Sequence, residues 1–245
     1  MTPPTTHQGT IALVTGGNKG IGLQIVEDLA KLGMTVYLAA RDEARGEEAV
    51  AKLTANKLDV RFVQLDVTDV KSVASVAAHV GKESGPLDVL VNNAGIANTT
   101  SPKDATLEDA RRIFETNVFG VIAVTRGFQP LIEKSKAGRI VNVSSSLGSL
   151  TIMSNPPPGF AQFCTIAYSA SKTALNGVTI AFANELLEKK IKVNAACPGY
   201  TATDLNGHSG PRTVQQGAKI EVHLATLPDD GPTGAFFDDA GPVAW

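Results

Sequence analysis

The sequence predicts an α/β fold: a doubly wound parallel sheet of about seven strands, flanked by helices on both faces. Three observations carry this. Short continuous apolar runs alternate with segments of helical spacing, as strands covered on both sides require. The first run, 11–14, passes straight into the glycine-rich turn Thr15-Gly-Gly-Asn-Lys-Gly-Ile-Gly22 and then a helix. No linker, composition shift or internal repeat divides the 245 residues, so they read as a flexible tail at 1–9 and one domain at 10–245.

The elements follow in order. After the strand at 11–14, the glycines let the backbone turn tightly and approach a pyrophosphate. The N–H groups and dipole at the start of the following helix then meet its charge. Gly16, Asn18, Lys19, Gly20, Ile21 and Gly22 are therefore nucleotide-binding candidates, against the alternative of a plain strand-to-helix turn. Residues 23–32 carry apolar positions at helical spacing and Gly33 supplies a C-cap. A second strand at 35–40 ends beside Arg41, before a charged helix at about 42–55. NAD-binding folds commonly place an acid here to hold the ribose. This chain has Ala40 and Arg41, and Arg41 with Lys19 suits a 2′-phosphate instead, unless both are solvated surface charges.

A third strand, 60–65, ends at Asp66 and leads to a helix at about 70–80. A fourth, 87–91, runs into Asn92-Asn-Ala-Gly95. Asp66 and Asn93 stand at strand ends, where a ligand crosses a doubly wound sheet, or else serve as a helix cap and a turn residue. Residues 104 to about 135 are mostly helical and contain Asn117, which no helix propensity explains. It has either a role in the site or a structural hydrogen bond.

The fifth strand, 139–143, ends in Ser144-Ser-Ser146. An irregular excursion at 147–165 with three successive prolines, 156–158, then passes over the strand ends, as a pocket wall or a stiff loop. Tyr168 and Lys172 follow, four residues apart on one helix face. A tyrosine can donate a proton, and a nearby ammonium favours the phenolate and lowers its pKa from about 10. The pair alone is common on solvated helices. A sixth strand, 191–196, ends at Pro198-Gly199. A substrate-side segment at 200–227 and a short last strand at 234–237 complete the chain.

Composition excludes other classes. With 22 basic and 24 acidic residues interspersed, there is no basic stripe, so nucleic acid is not an expected partner. No apolar run reaches membrane-spanning length and the start lacks signal-peptide features, so a soluble cytoplasmic protein is expected. Cys164 and Cys197 lack disulfide or metal spacing and read as small buried residues. The four histidines are scattered, so no metal site is expected.

Taken together, these motifs resemble the short-chain dehydrogenases/reductases over nearly the whole chain. The glycine turn is similar to that family's cofactor loop, Asn92-Asn-Ala-Gly95 to its sheet-stabilising motif, and Tyr168-x-x-x-Lys172 to its catalytic pair. Asn194-x-x-x-Pro198-Gly199-x-x-x-Thr203 is similar to its nicotinamide-side segment. Asn18, Lys19, the Ala-Ala-Arg41-Asp42 turn and Trp245 most resemble the monomeric carbonyl reductase-like members.

The resemblance implies a Rossmann fold and reduction of a small ketone or aldehyde, with NADPH/NADP+ as cofactor. It implies Tyr168 as proton donor and Lys172 as the group that lowers its pKa and bonds the nicotinamide ribose. Ser145 would hold the substrate oxygen, with Ser144 and Ser146 as close competitors, and Asn117 would hold a water leading from Lys172 to solvent. Cofactor contacts are implied for the glycine loop, Arg41, Asp66, Val67, Asn93, Ala94, Gly95, Tyr168, Lys172, Pro198, Gly199, Thr201 and Thr203. The stretch from Ser145 to Tyr168 is longer than the family's usual spacing and shorter than the insertion of animal carbonyl reductases. That leaves monomer or homo-oligomer open, and directs Phe160 and Phe163 toward the pocket, favouring apolar or aromatic substrates, unless both are simply core residues of the loop. The alternatives are a non-catalytic NADP(H)-binding sensor or scaffold, and an alcohol dehydrogenase working oxidatively.

Overall fold

Apolar strands set the centre of the structure, a computed structural model that describes residues 7–98 and 102–245. Six parallel strands are β1 (Ile11–Thr15), β2 (Thr35–Ala40), β3 (Val60–Gln64), β4 (Val89–Asn92), β5 (Arg139–Val143) and β6 (Lys192–Ala196). β7 (Phe236–Asp238) extends the sheet in parallel beside β6, and β8 (Gly241–Pro242) adds an antiparallel edge, giving the order β3-β2-β1-β4-β5-β6-β7-β8. β8 exceeds the seven strands expected. It has two residues, one a proline, which is too short for any periodic signal. The chain winds outward from β1 to β3 and returns to β4, so the strand order reverses between β1 and β4. Their carboxyl ends flank the crevice where such sheets take ligands.

Nine helices are described: α1 (Gly20–Lys31), α2 (Glu43–Thr54), α3 (Val70–Glu83), α4 (Leu107–Phe114), α5 (Gly120–Ile132), α6 (Leu150–Ser154), α7 (Ile166–Glu185), α8 (Val214–Gly217) and α9 (Lys219–Ala225). On one face, Ile25, Leu29, Leu53 and Leu224 from α1, α2 and α9 bury Val14, Val36, Leu38 and Val91. On the other, Val76, Phe128 and Phe182 from α3, α5 and α7 bury Leu13, Tyr37 and Leu90. Burial on both faces is why these strands read as continuous apolar runs. Asp42 and Asp69 cap α2 and α3 by accepting from Arg45 N and Lys71 N. No side chain caps α1, whose first N–H groups face the crevice.

Two expectations are corrected. Residues 1–6 of the expected tail lie outside the described residues, but His7–Gly9 form an anchored turn: His7 N donates to Leu32 O at 2.9 Å and Thr10 N to His7 O at 3.1 Å. The 147–165 excursion is also more regular than its prolines suggest. It contains α6, capped by Ser149, and a 3-10 turn at Ala161–Phe163. Tertiary bonds hold it: Thr151 N donates to Trp245 O at 3.0 Å and Ser149 Oγ to Ala244 O at 2.7 Å, while Trp245 stacks on Phe236. Among the described residues, no helix is long and apolar enough to cross a membrane and no His/Cys/Asp/Glu group could hold a metal ion.

Candidate active site

Helix α7 fixes the phase of the Tyr168 and Lys172 pair because Thr165, its N-cap, accepts from Tyr168 N at 3.3 Å. Lys172 is buried; its Nζ donates to Val143 O at 2.7 Å and lies 5.7 Å from the centre of the Tyr168 ring. Three serines follow β5, and their hydroxyls diverge. Ser144 Oγ donates to Asn176 Oδ1 at 2.6 Å. Ser146 engages the Cys197 thiol. Ser145 Oγ accepts from Leu147 N at 3.2 Å and hydrogen-bonds the Tyr168 phenol.

The electrostatics reverse the direction expected for the phenol. Desolvation pushes Tyr168 up to about 12, with the Ser145 hydrogen bond pulling it down and Cys197 adding to the rise. The Lys172 ammonium points at the Val143 carbonyl, and burial lowers its own value to about 8. Tyr168 therefore keeps its proton at neutral pH. Burial likewise pushes the Cys197 thiol up, which suits an inert core residue.

A cleft of about 1300 Å³ crosses the carboxyl ends of β1 and β4. Gly16, Asn18, Lys19, Gly20, Ile21 and Gly22 line it on the glycine-loop side; Arg41, Asp66, Val67, Asn93, Ala94 and Gly95 continue it; Tyr168, Lys172, Pro198 and Thr203 also line it. The loop geometry demands its glycines. Gly16 has φ +64°, and a Cβ on Gly22 would collide with Gly16 O and Asn93 Nδ2. Asn93 laces β4 to the loop, its Nδ2 donating to Thr15 O at 2.9 Å and Gly16 O at 3.2 Å. Asp66 does not cap α3. Its carboxylate accepts from Thr68 N and Oγ1; partial burial opposes this, but the two bonds and nearby Arg41 hold it below its ordinary value.

Some expected residues stand off the cleft surface. Thr201 is buried, its Oγ1 donating to Pro198 O at 3.0 Å, and Gly199, at φ +69°, lies against the Arg212 side chain. Both shape the wall from behind. Asn117, expected in the catalytic set, is 1% exposed within the π-helical turn Glu115–Phe119, and its amide is engaged by Ile96 and Ser171. Phe160 and Phe163 are not among the lining residues; Phe163 meets Tyr200 instead, ring centres 5.4 Å apart.

Other lining residues escaped the sequence reading: Arg45, Arg112, Asp204 and His208. Arg45 had a legible signal, being four residues past Arg41 at the start of α2. Asp204 and His208 had none, because the path of residues 200–211 depends on tertiary contacts. The cleft fits a dinucleotide. It offers an uncapped helix start and a glycine cradle for a pyrophosphate, cations at Lys19, Arg41 and Arg45 for a further phosphate, and a phenol beside an amine.

Comparisons with known proteins agree with this geometry. Residues 10–213 match the family model described as short chain dehydrogenase. Salutaridine reductase of Papaver bracteatum is 35% identical, over 96% of each chain. Carbonyl reductase [NADPH] 1 of Homo sapiens is 36% identical, over 96% of this chain and 98% of that one. The crystal structure of NADPH-bound carbonyl reductase from chicken fatty liver superposes with a TM-score of 0.86 at 30% identity, covering 97% of this chain and 99% of the other.

Proposed function

The chain belongs to the short-chain dehydrogenase family, and from that premise we propose that it is an NADPH-dependent oxidoreductase. It reduces the carbonyl group of a small ketone or aldehyde to an alcohol, with Tyr168 as proton donor. The observation that carries this reading is the placement of the phenol: Tyr168 lines the cleft with the Lys172 ammonium 5.7 Å from its ring centre, and as a neutral phenol it holds at neutral pH the proton that a reduced carbonyl oxygen must receive.

Gly16 to Gly22 and the start of α1 would hold the pyrophosphate, and Lys19 and Arg41 the 2′-phosphate. Asp66 and Val67 flank the adenine half of the cleft; Asn93, Ala94, Gly95, Pro198 and Thr203 border it further along. When bound, NADPH supplies the hydride. The protein supplies placement and the proton. Ser145, hydrogen-bonded to the phenol, orients it and offers a hydroxyl to the oxygen on which charge develops. Lys172, held by Val143 O, contributes positive charge beneath the ring while it stays protonated.

Reduction and oxidation pass through the same site, and the protonated Tyr168 is the form that reduction uses. A purely NADP(H)-binding sensor has no use for Tyr168 and Lys172 side by side at the cleft, with Ser145 hydrogen-bonded to the phenol behind them. The test is a panel of quinones, cyclic ketones, aryl ketones and aldehydes, followed by NADPH absorbance. Turnover of none, with NADPH bound, would favour the sensor.

A further inference from the structure

Lys19 is expected to meet the cofactor's 2′-phosphate, yet its ammonium is already engaged. Its Nζ donates to Asp204 Oδ2 at 2.7 Å, across the mouth of the cleft. Asp204 opens the 3-10 turn Asp204–Asn206, which Thr203 and Asn206 cap reciprocally. A Cβ on Gly20 would stand 3.4 Å from Thr203 Cγ2, so the two walls meet here. The second carboxylate oxygen of Asp204 lies 2.9 Å from His208 Nε2. Lys19, Asp204 and His208 all line the cleft. Lys19 first, then His208, holds the Asp204 carboxyl below its ordinary value.

We propose that Asp204 is a specificity-determining residue of the cofactor site: it occupies Lys19 in the free protein and is displaced when a 2′-phosphate arrives. The proposal rests on the NADP(H) reading above. An ammonium has three donors, but a carboxylate and a dianionic phosphate side by side on it repel each other. Asp204 must therefore yield or oppose the ligand. His208 gives it a partner to keep when Lys19 leaves, so the turn need not strand an unpaired charge. A cofactor without the extra phosphate leaves the Lys19–Asp204 pair intact. Asp204 thus lowers affinity for phosphorylated cofactors alone, and couples their arrival to release of the 204–208 turn.

Isothermal titration with 2′,5′-ADP, 5′-AMP, NADP+ and NAD+ tests this without turnover. All three groups are more than half exposed, so the pair is a solvated one, whose loss changes affinity by roughly twofold to fivefold. Asp204→Asn is expected to tighten 2′,5′-ADP and NADP+ by that factor and leave 5′-AMP and NAD+ unchanged. In a Lys19→Ala background the same substitution is expected to do nothing. A gain that persists without Lys19, or that extends to 5′-AMP, would mean a bulk charge effect and overturn the proposal, as would unchanged NADP+ affinity. If the parent protein binds NADP+ no tighter than NAD+, the cofactor reading itself fails, and the proposal falls with it.

Discussion

The side-chain amide of Asn117 donates to the Ser171 hydroxyl at 3.0 Å, tying the π-helical turn between α4 and α5 to the helix that carries Tyr168 and Lys172. The same amide closes on one backbone residue, donating to Ile96 O and accepting from Ile96 N, both at 2.9 Å. Ser171 in turn donates to Tyr168 O at 2.7 Å. A widened turn is what lets an asparagine aim inward from an otherwise α-helical run. Asn117 thus acts as a positioning residue, setting the β4 loop against α7.

Replacing Asn117 with Ala strands the Ile96 N–H and C=O, and a part-buried polar group left unpaired costs about 1–3 kcal/mol. The expected outcome is a lower Tm and a reduced kcat. Asn117→Asp keeps an acceptor for Ile96 N but loses both donations, so it should fall short of the parent as well. An unchanged Tm in the Ala variant would refute the clamp.

Tyr168→Phe keeps the ring and removes only the hydroxyl, and with it the proton to be donated. Carbonyl reduction is expected to drop by about 10²–10⁴-fold, with the dissociation constant for NADP+ within about twofold of the parent by titration. Retained turnover would remove Tyr168 from the chemistry.

The pH dependence follows from two groups. Tyr168 keeps its proton up to about 12 and Lys172 loses its own through about 8. Between pH 6 and 7 the phenol is neutral and the amine mostly charged, so kcat/KM for reduction is expected to be level there. It should decline as pH rises through about 8 and Lys172 loses its charge. Initial rates across pH 6–10 decide this, and a rate climbing through 8–10 would contradict the assignment.

Arg41 and Lys19 sit where an NAD-binding relative of this fold would carry an acid. The double variant Lys19→Ala, Arg41→Ala should shrink the preference for NADPH over NADH by about 10–100-fold, the range for lost charge-assisted bonds of about 1.5–3 kcal/mol. The ratio of kcat/KM with the two cofactors measures it. Equal efficiency in the parent would contradict the expected 2′-phosphate contact.

Much of this architecture was legible because its signals are local. The run 11–14, the glycine turn and the spacing of Tyr168 from Lys172 each fix an element or a face without reference to the rest of the chain. What escaped depends on distant contacts. The direction of the Tyr168 shift comes from burial, which a four-residue spacing does not encode, nor does that spacing show that Lys172 donates to Val143 O. Asp204 reaches Lys19 across 185 positions of sequence. The α6 helix is held by Ala244 and Trp245, so the prolines nearby suggested an irregular path where tertiary bonds hold a helix.

Glu221 supplies the last prediction, because α9 buries its carboxyl completely and no other residue hydrogen-bonds either oxygen. Burial pushes it up to about 8 from an ordinary 4.5, with its own backbone N–H and Arg212 opposing the rise and Asp239 adding to it. A folded-state value raised above the unfolded one means that folding takes up a proton. The contribution to stability is therefore fully present below about 4.5 and is lost as pH rises to about 8. Each unit of difference corresponds to about 1.4 kcal/mol, so the loss by pH 9 is on the order of several kcal/mol. Glu221→Gln has no proton to lose, and its denaturation midpoint should exceed that of the parent by more at pH 9 than at pH 5. Parallel midpoints at pH 5, 7 and 9 would mean that the carboxyl ionises in the fold as it does in water, and that its burial imposes no penalty on the charge.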